Sequence, residues 1–169
     1  MNIIMNNTKK ICYLGVMTAL YVVLSAFFKF NLIGNIQIDL GYIVFAIALC
    51  MFGLAGAVVG VLGCAIESML FSAYGFSISW FTANLIVGLI CGRFYKDSQG
   101  IVKCVITFAA VLLGVLGAKT LIECVLYSIP LAVKLPKNLV AFAVDFCAMG
   151  FGIYLYDSVL SKTVKGAQP

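Results

Sequence analysis

The stretch Leu40 to Phe71, LGYIVFAIALCMFGLAGAVVGVLGCAIESMLF, constrains this chain most, because Glu67 is its only charged side chain. A membrane-crossing helix takes about 20 apolar residues at ~1.5 Å each. The stretch is too long for one crossing and suits two short ones. Gly53, Gly56, Gly60 and Gly63 mark where it turns. Phe52-Gly53-Leu54-Ala55-Gly56 is the expected tip, since glycine tolerates a reversal and small residues let two helix backbones approach. Gly56 and Gly60 have small-xxx-small spacing, which serves packing and specifies no function. The expected centre of the chain is a transmembrane hairpin with a carboxylate in its second arm.

The remaining sequence agrees with a membrane setting. Hydrophobic residues make up 64% and charged residues 10%, and the mean hydropathy is +1.15, so an integral membrane protein is expected, as one domain over residues 1–169. The net charge of +5 is accounted for by Lys and Arg on the cytoplasmic side of membrane helices, so no nucleic-acid partner is expected. The seven cysteines, at 12, 50, 64, 91, 104, 124 and 147, include no C-x-x-C pair, and the chain has no histidine. Neither a metal site nor a cofactor is expected, and the thiols are taken as small buried hydrophobes. Lys9-Lys10 precede an apolar run that reaches Lys29 without a clear cleavage site. That run is expected to be a retained span rather than a secretory signal.

In order, the expected spans are Ile11–Phe28, Leu40–Phe52, Ala55–Phe71, Ile78–Phe94, Ile101 to about Tyr127, and Asn138 to about Leu160. Lys29–Asp39 is a polar-punctuated loop, Ser72–Ser77 a turn around Gly75, and Tyr95–Gly100 a loop. Pro130 and Pro136 are expected to bracket another loop, since proline discourages helix on either side. The fold class is therefore all-α, a bundle of six transmembrane helices with both termini on one side. Placing the termini in the cytoplasm puts Lys9, Lys10, Arg93, Lys96, Lys103, Lys162 and Lys165 inside and leaves Lys29, Lys134 and Lys137 outside, as the positive-inside rule requires.

In that topology the polar residues of the spans collect in the outer half. Asp39 opens the second span, Glu67 lies near the outer end of the third, and Trp80 and Asn84 begin the fourth. Lys119 and Glu123 lie one turn apart in the fifth, and Asp145 is about 10 Å below the outer end of the sixth. A charge at mid-membrane costs about 2.5–3.5 kcal/mol, so such groups face an interior or a watery cavity. Together they suggest a cup open to the outside. Plainer readings stand beside this one. Lys119 and Glu123 can simply pair at i, i+4; Asp39 can cap a helix; Trp80 can belong to an aromatic belt.

The motifs of several enzyme classes are missing. No P-loop, H-E-x-x-H or G-x-S-x-G occurs, and without histidine neither Ser-His nor His-metal chemistry is available. A conducting pore would need polar positions through the full thickness. A cup with no energy source of its own implies a partner.

Over almost its full length the chain resembles the substrate-binding S components of energy-coupling factor (ECF) transporters, the vitamin importers of prokaryotes. The resemblance lies in the opening pattern Leu14-Gly-Val-Met-Thr-Ala-Leu-Tyr-Val-Val-Leu-Ser25 and the hairpin Met51-Phe-Gly-Leu-Ala-Gly-Ala-Val-Val-Gly60, which is similar to the family's F-G-x-x-x-G-x-x-x-G. Lys119-Thr-Leu-Ile-Glu-Cys-Val-Leu-Tyr-Ser-Ile-Pro130, followed by Leu135-Pro-Lys-Asn138, resembles the folate-type branch, although that branch usually has Asn where Lys119 stands. The resemblance implies a non-enzymatic subunit of the plasma membrane that binds a vitamin-like small molecule from outside. Its partners would be a membrane coupling protein and two cytoplasmic ATPases.

The resemblance also assigns roles to residues. Residues 29–39 would be a lid, and Glu67, Trp80, Asn84, Lys119, Glu123 and Asp145 would face the ligand, with Asp39 at the mouth. Gly15 and Ala19 stand where the family's Ala-x-x-x-Ala docking motif falls; ordinary packing within the bundle is the alternative. Surplus carboxylates suit a ligand rich in N–H donors, such as a pterin, aminopyrimidine or deazaguanine, because an ionised carboxylate only accepts hydrogen bonds. Lys119 would meet a ligand carboxylate or Glu123. The other functional classes left open are a stand-alone ion-coupled transporter, with Glu67 or Asp145 carrying protons, and a structural or assembly membrane protein.

Overall fold

The structure, a computed structural model, describes residues 7–27, 30–32, 36–71 and 75–160. Helices dominate, as they must where lipid offers backbone N–H and C=O groups no partner. They are α1 (Asn7–Phe27), α2 (Gly41–Phe52), α3 (Ala57–Phe71), α4 (Ile78–Phe94), α5 (Gly100–Val111), α6 (Thr120–Leu126) and α7 (Leu131–Leu155). A π-helical segment, Leu112–Lys119, joins α5 to α6 without a break, and a second, Tyr156–Leu160, extends α7. Four helical runs among the described residues are long and apolar enough to cross a membrane: Asn7–Phe27, Gly41–Phe71, Gly100–Leu126 and Leu131–Val159. Ile78–Phe94 is a shorter apolar helix.

The Gly41–Phe71 run folds back on itself at the expected tip. Gly53 takes φ +59, a conformation that favours glycine, and a 3-10 turn over Gly53–Gly56 reverses the chain. Gly60 of α3 lies flat against the Phe45 ring of α2, and a Cβ there would overlap the ring. The arms have 12 and 15 residues, about 18 and 22 Å. Each is shorter than a hydrocarbon core of about 30 Å.

Small residues bring the other helices together. On α4 the buried side is Ser79, Ala83, Asn84, Val87, Gly88, Cys91 and Gly92. A Cβ at Gly114 would come within 2.9 Å of the Ala83 carbonyl oxygen, so the π segment and α4 are in near-backbone contact. Large side chains such as Leu85, Leu89 and Phe94 point outward, where lipid rather than water covers them. At the centre the Tyr21, Tyr42 and Phe45 rings meet with centroids 6.1–6.5 Å apart.

Several expectations need correction. The helical bundle is as expected, but the connection ahead of α2 is not only loop: β1 (Phe30–Leu32) and β2 (Ile36–Ile38) form an antiparallel pair with Asn31 opposite Gln37, and β2 packs beside α7. The sequence carries a period-2 signal here, Phe-Asn-Leu and Ile-Gln-Ile around Gly34-Asn35. The last helix begins at Leu131, and Pro136 lies inside it. Pro136 removes only the hydrogen bond to the Ala132 carbonyl, and Lys134 and Asn138 on either side anchor this turn to Glu123. Asp145 is therefore about 21 Å along the helix from its start at Leu131, where a start at Asn138 would give about 10 Å.

The thiols are not uniformly buried. Cys64 and Cys91 are buried, Cys50, Cys104 and Cys124 intermediate, and Cys12 and Cys147 exposed on outward faces. Phe28, Lys29, residues 33–35 of the expected lid, residues 72–74 of the expected turn, and Lys162 and Lys165 lie outside the described residues.

Candidate functional site

One end of the bundle gathers the end of α1, the starts of α2, α4 and α7, and α6. Asp39, just before α2, is fully engaged there. Its Oδ1 accepts Ser25 Oγ at 2.6 Å and the Gly41 N–H at 2.8 Å, and its Oδ2 accepts the Tyr21 hydroxyl at 3.3 Å. The contact with Gly41 is the helix-capping role, and the two from α1 fasten α1 to α2. Asp39 thus latches two helices.

Three further polar side chains, from three helices, are buried near one another. Asn84 of α4 donates Nδ2 to the Trp80 carbonyl at 3.0 Å, which leaves Oδ1 for another partner. Asn84 lies beside Tyr42 of α2, and Asp145 of α7 is near enough to act on the same tyrosine. Tyr42, Asn84 and Asp145 are 0%, 1% and 1% exposed. Yet the Tyr42 hydroxyl, Asn84 Oδ1 and Asp145 Oδ2 have no hydrogen-bond partner among the described residues. Leaving such an atom unpaired costs about 1–3 kcal/mol, more for a charged one.

A second polar cluster, closer to the start of α7, is self-satisfied. Lys119 Nζ donates to Asn138 Oδ1 at 2.5 Å, lies 3.6 Å from Glu123 Oε1 and sits 4.0 Å from the centre of the Trp80 ring. Asn138 Nδ2 reaches Thr120 Oγ1 at 2.9 Å and Glu123 Oε2 at 3.0 Å, and Lys134 Nζ comes within 3.5 Å of the same carboxylate oxygen. Lys119 is the last residue of the π segment, and the Thr120 hydroxyl bonds the Val115 carbonyl five residues back. One extra residue in that turn rotates all that follows by about 100°. Lys119 and Glu123 thereby share a face with Asn138.

Residues 5–159 match the family model of the ECF-type riboflavin transporter, S component. The chain belongs to that family. No curated protein matches this S component. Among solved structures it is similar to the crystal structure of FolT bound with folic acid, with a TM-score of 0.72 and 21% identity over 88% of this chain and 92% of that one. At that identity the likeness is one of fold. The family is one of transporter components, and the apolar helices agree in making this S component a membrane protein.

Of the residues singled out from the sequence, Trp80, Asn84, Lys119, Glu123 and Asp145 gather at this end with Asp39, as two tiers rather than one ring. Glu67 is buried on α3 and belongs to neither set of hydrogen bonds described above. Gly15 and Ala19 do not pack within the bundle. Both are exposed on α1, a Cβ on Gly15 would meet nothing within 4 Å, and both line an apolar groove of about 700 Å³ between α1 and α3.

Tyr42, Asn138, Thr120 and Lys134 join these clusters although the sequence pattern does not single them out. Asn138 was readable as a polar residue within an apolar span; Tyr42 was masked by its aromatic neighbours. The opposite end is also less apolar than expected. There Lys103, 6% exposed, pairs with Asp157 at 2.7 Å, and the Tyr95 hydroxyl meets Thr107 Oγ1 at 2.5 Å.

Proposed function

We propose that this chain is the membrane-embedded binding subunit of an ECF-type importer of the prokaryotic plasma membrane. It captures a vitamin or related heterocyclic micronutrient, folate-like in our preferred reading, from outside and delivers it through a separate module. Tyr42, Asn84 and Asp145 carry this reading, because three buried polar atoms without a hydrogen-bond partner among the described residues leave room in the hydrogen bonding for a ligand. In this reading Trp80, Lys119, Glu123, Asp39 and Glu67 are the further ligand-facing groups, Trp80, Lys119 and Glu123 as one packed cluster. The chain acts as a single transmembrane domain, with six spans and both termini cytoplasmic. In this reading the β1–β2 pair beside α7 is the lid.

Delivery needs a partner, since the chain carries no nucleotide-binding motif. The groove over Gly15 and Ala19 is the docking face for a membrane coupling protein driven by two ATPases, because small residues let a partner helix approach closely. The test is native mass spectrometry of the protein purified in mild detergent, with thermal shift against B vitamins, pterins and deazaguanines. A co-purified species of a few hundred daltons, or a stabilising member of the panel, is the expected result. An empty protein that no compound stabilises would favour a structural role. Proton-coupled uptake in vesicles without any ATPase would favour an ion-coupled carrier, for which buried Asp145 is the suitable residue.

A further inference from the structure

We propose that Asp39 is a positioning residue, whose side chain clamps the β1–β2 pair at its base and makes it a hinged unit rather than a slack loop. This rests on the binding-subunit reading above, in which that pair is the lid, and specifies what Asp39 does in the same site.

The chain leaves α1 at Phe27, forms β1 and β2, and reaches Asp39 directly after Ile38. Asp39 closes that excursion on itself. Its Oδ1 accepts Ser25 Oγ, fourteen residues back, at 2.6 Å and the Gly41 N–H at 2.8 Å, and the Tyr21 hydroxyl donates to Oδ2 at 3.3 Å. The anchors on α1 are firmly held. Ser25 and Tyr21 are buried, and Gly63 of α3 lies so close to the Tyr21 ring that a Cβ there would overlap it.

Gly41 keeps the space that the clamp occupies. A Cβ at this position would overlap Ser25 Oγ and come within 2.9 Å of Asp39 Oδ1 and 3.0 Å of the Tyr21 ring. A side chain there would push the clamp apart, so the steric record and the hydrogen bonds point to the same junction.

The strands need such an anchor more than the helices do. Two paired strands of three residues each are marginal by themselves in water. Among the described residues this pair is held by the packing of β2 beside α7 and by the closure at Asp39. A displacement at Asp39 passes straight into β2. By contrast, α1 stays joined to α2 without the clamp, through the Tyr21 ring against Tyr42 and Phe45 with centroids 6.4 and 6.5 Å apart. Loss of the clamp should therefore loosen the strands and spare the helices.

The test is hydrogen exchange of the full chain in nanodiscs without ligand, comparing peptides over β1 and β2 with peptides inside α1 and α7. Ser25→Ala removes one donor, and Gly41→Ala wedges a methyl into the clamp without removing a polar group. Each should speed exchange of the strands about tenfold while the interiors of α1 and α7 change less than about twofold. Asp39→Asn keeps an acceptor oxygen for Ser25 and Gly41 and should stay within about threefold of the unaltered chain. Exchange that rises equally in the strands and in α1 would reduce Asp39 to a fastener of helices and overturn the proposal. So would strands that exchange in Ser25→Ala as they do in the unaltered chain, whether or not Gly41→Ala folds. These outcomes leave the binding reading standing, because the ligand panel above tests it separately.

Discussion

Replacing Asn138 with leucine, which is similar in size but apolar, tests whether the Lys119 cluster holds three helical segments together. The change deletes three hydrogen bonds, from Lys119 at 2.5 Å, to Thr120 at 2.9 Å and to Glu123 at 3.0 Å. Interhelical hydrogen bonds in membranes average about 0.6 kcal/mol, which sets a lower figure near 2 kcal/mol. Two of the three involve ionised groups, for which about 1.5–3 kcal/mol each applies in soluble proteins. Burial favours the upper part of that range, since Lys119, Glu123 and Asn138 are 4%, 6% and 2% exposed. The remaining contacts of Glu123 with Lys119 and Lys134, at 3.6 and 3.5 Å, reduce it. About 3 kcal/mol is expected, a fall in Tm on the order of 6–12 °C for a chain of this size. The assay is thermal unfolding in one detergent, with Leu139→Ala on the outward face as the control. A fall no larger than that control would refute the reasoning.

Other consequences can be checked in the same preparation. Gly60→Ala drives a methyl into the Phe45 ring and should cost about 1–3 kcal/mol by overpacking; unchanged thermal stability would mean the hairpin arms are not in contact. Asp157→Asn should cost about 1 kcal/mol or less, because the Asp157 side chain is 38% exposed even though its partner Lys103 is buried, and a loss of several kcal/mol would place the pair in a drier setting. Ala19→Trp fills the α1–α3 groove and should leave ligand affinity unchanged while abolishing ATP-driven uptake, so normal uptake would exclude this face from docking. A maleimide, which adds to the thiolate, should label Cys12, exposed near the start of α1, faster than buried Cys64 and Cys91; equal labelling would contradict the packing.

The sequence by itself determined the membrane setting, the hairpin and the polar residues to watch, because these follow from local facts. Thirty-two nearly uncharged residues need lipid, glycines need a turn or a close approach, and a charge in an apolar span needs a reason. It also held two signals that are easy to pass over. One is the alternation in Phe30-Asn31-Leu32 and Ile36-Gln37-Ile38. The other is the stripe of small residues on α4 that marks its buried side, where hydrophobicity is no guide because lipid and interior are equally apolar.

Only the tertiary structure decided which polar groups satisfy one another. Pro136 forbids a helix by local preference, but the bonds of Lys134 and Asn138 to Glu123 fix the turn that contains it. The π segment turns Lys119 toward Asn138, a rotation that no residue spacing records. Lys119, Glu123 and Asp39 became partners of their neighbours, while Tyr42, Asn84 and Asp145 each keep an atom without a hydrogen-bond partner among the described residues. Hydrogen bonding depends on distance and angle between segments far apart in the chain, so a sequence shows which groups need partners and the fold alone determines which of them remain without one.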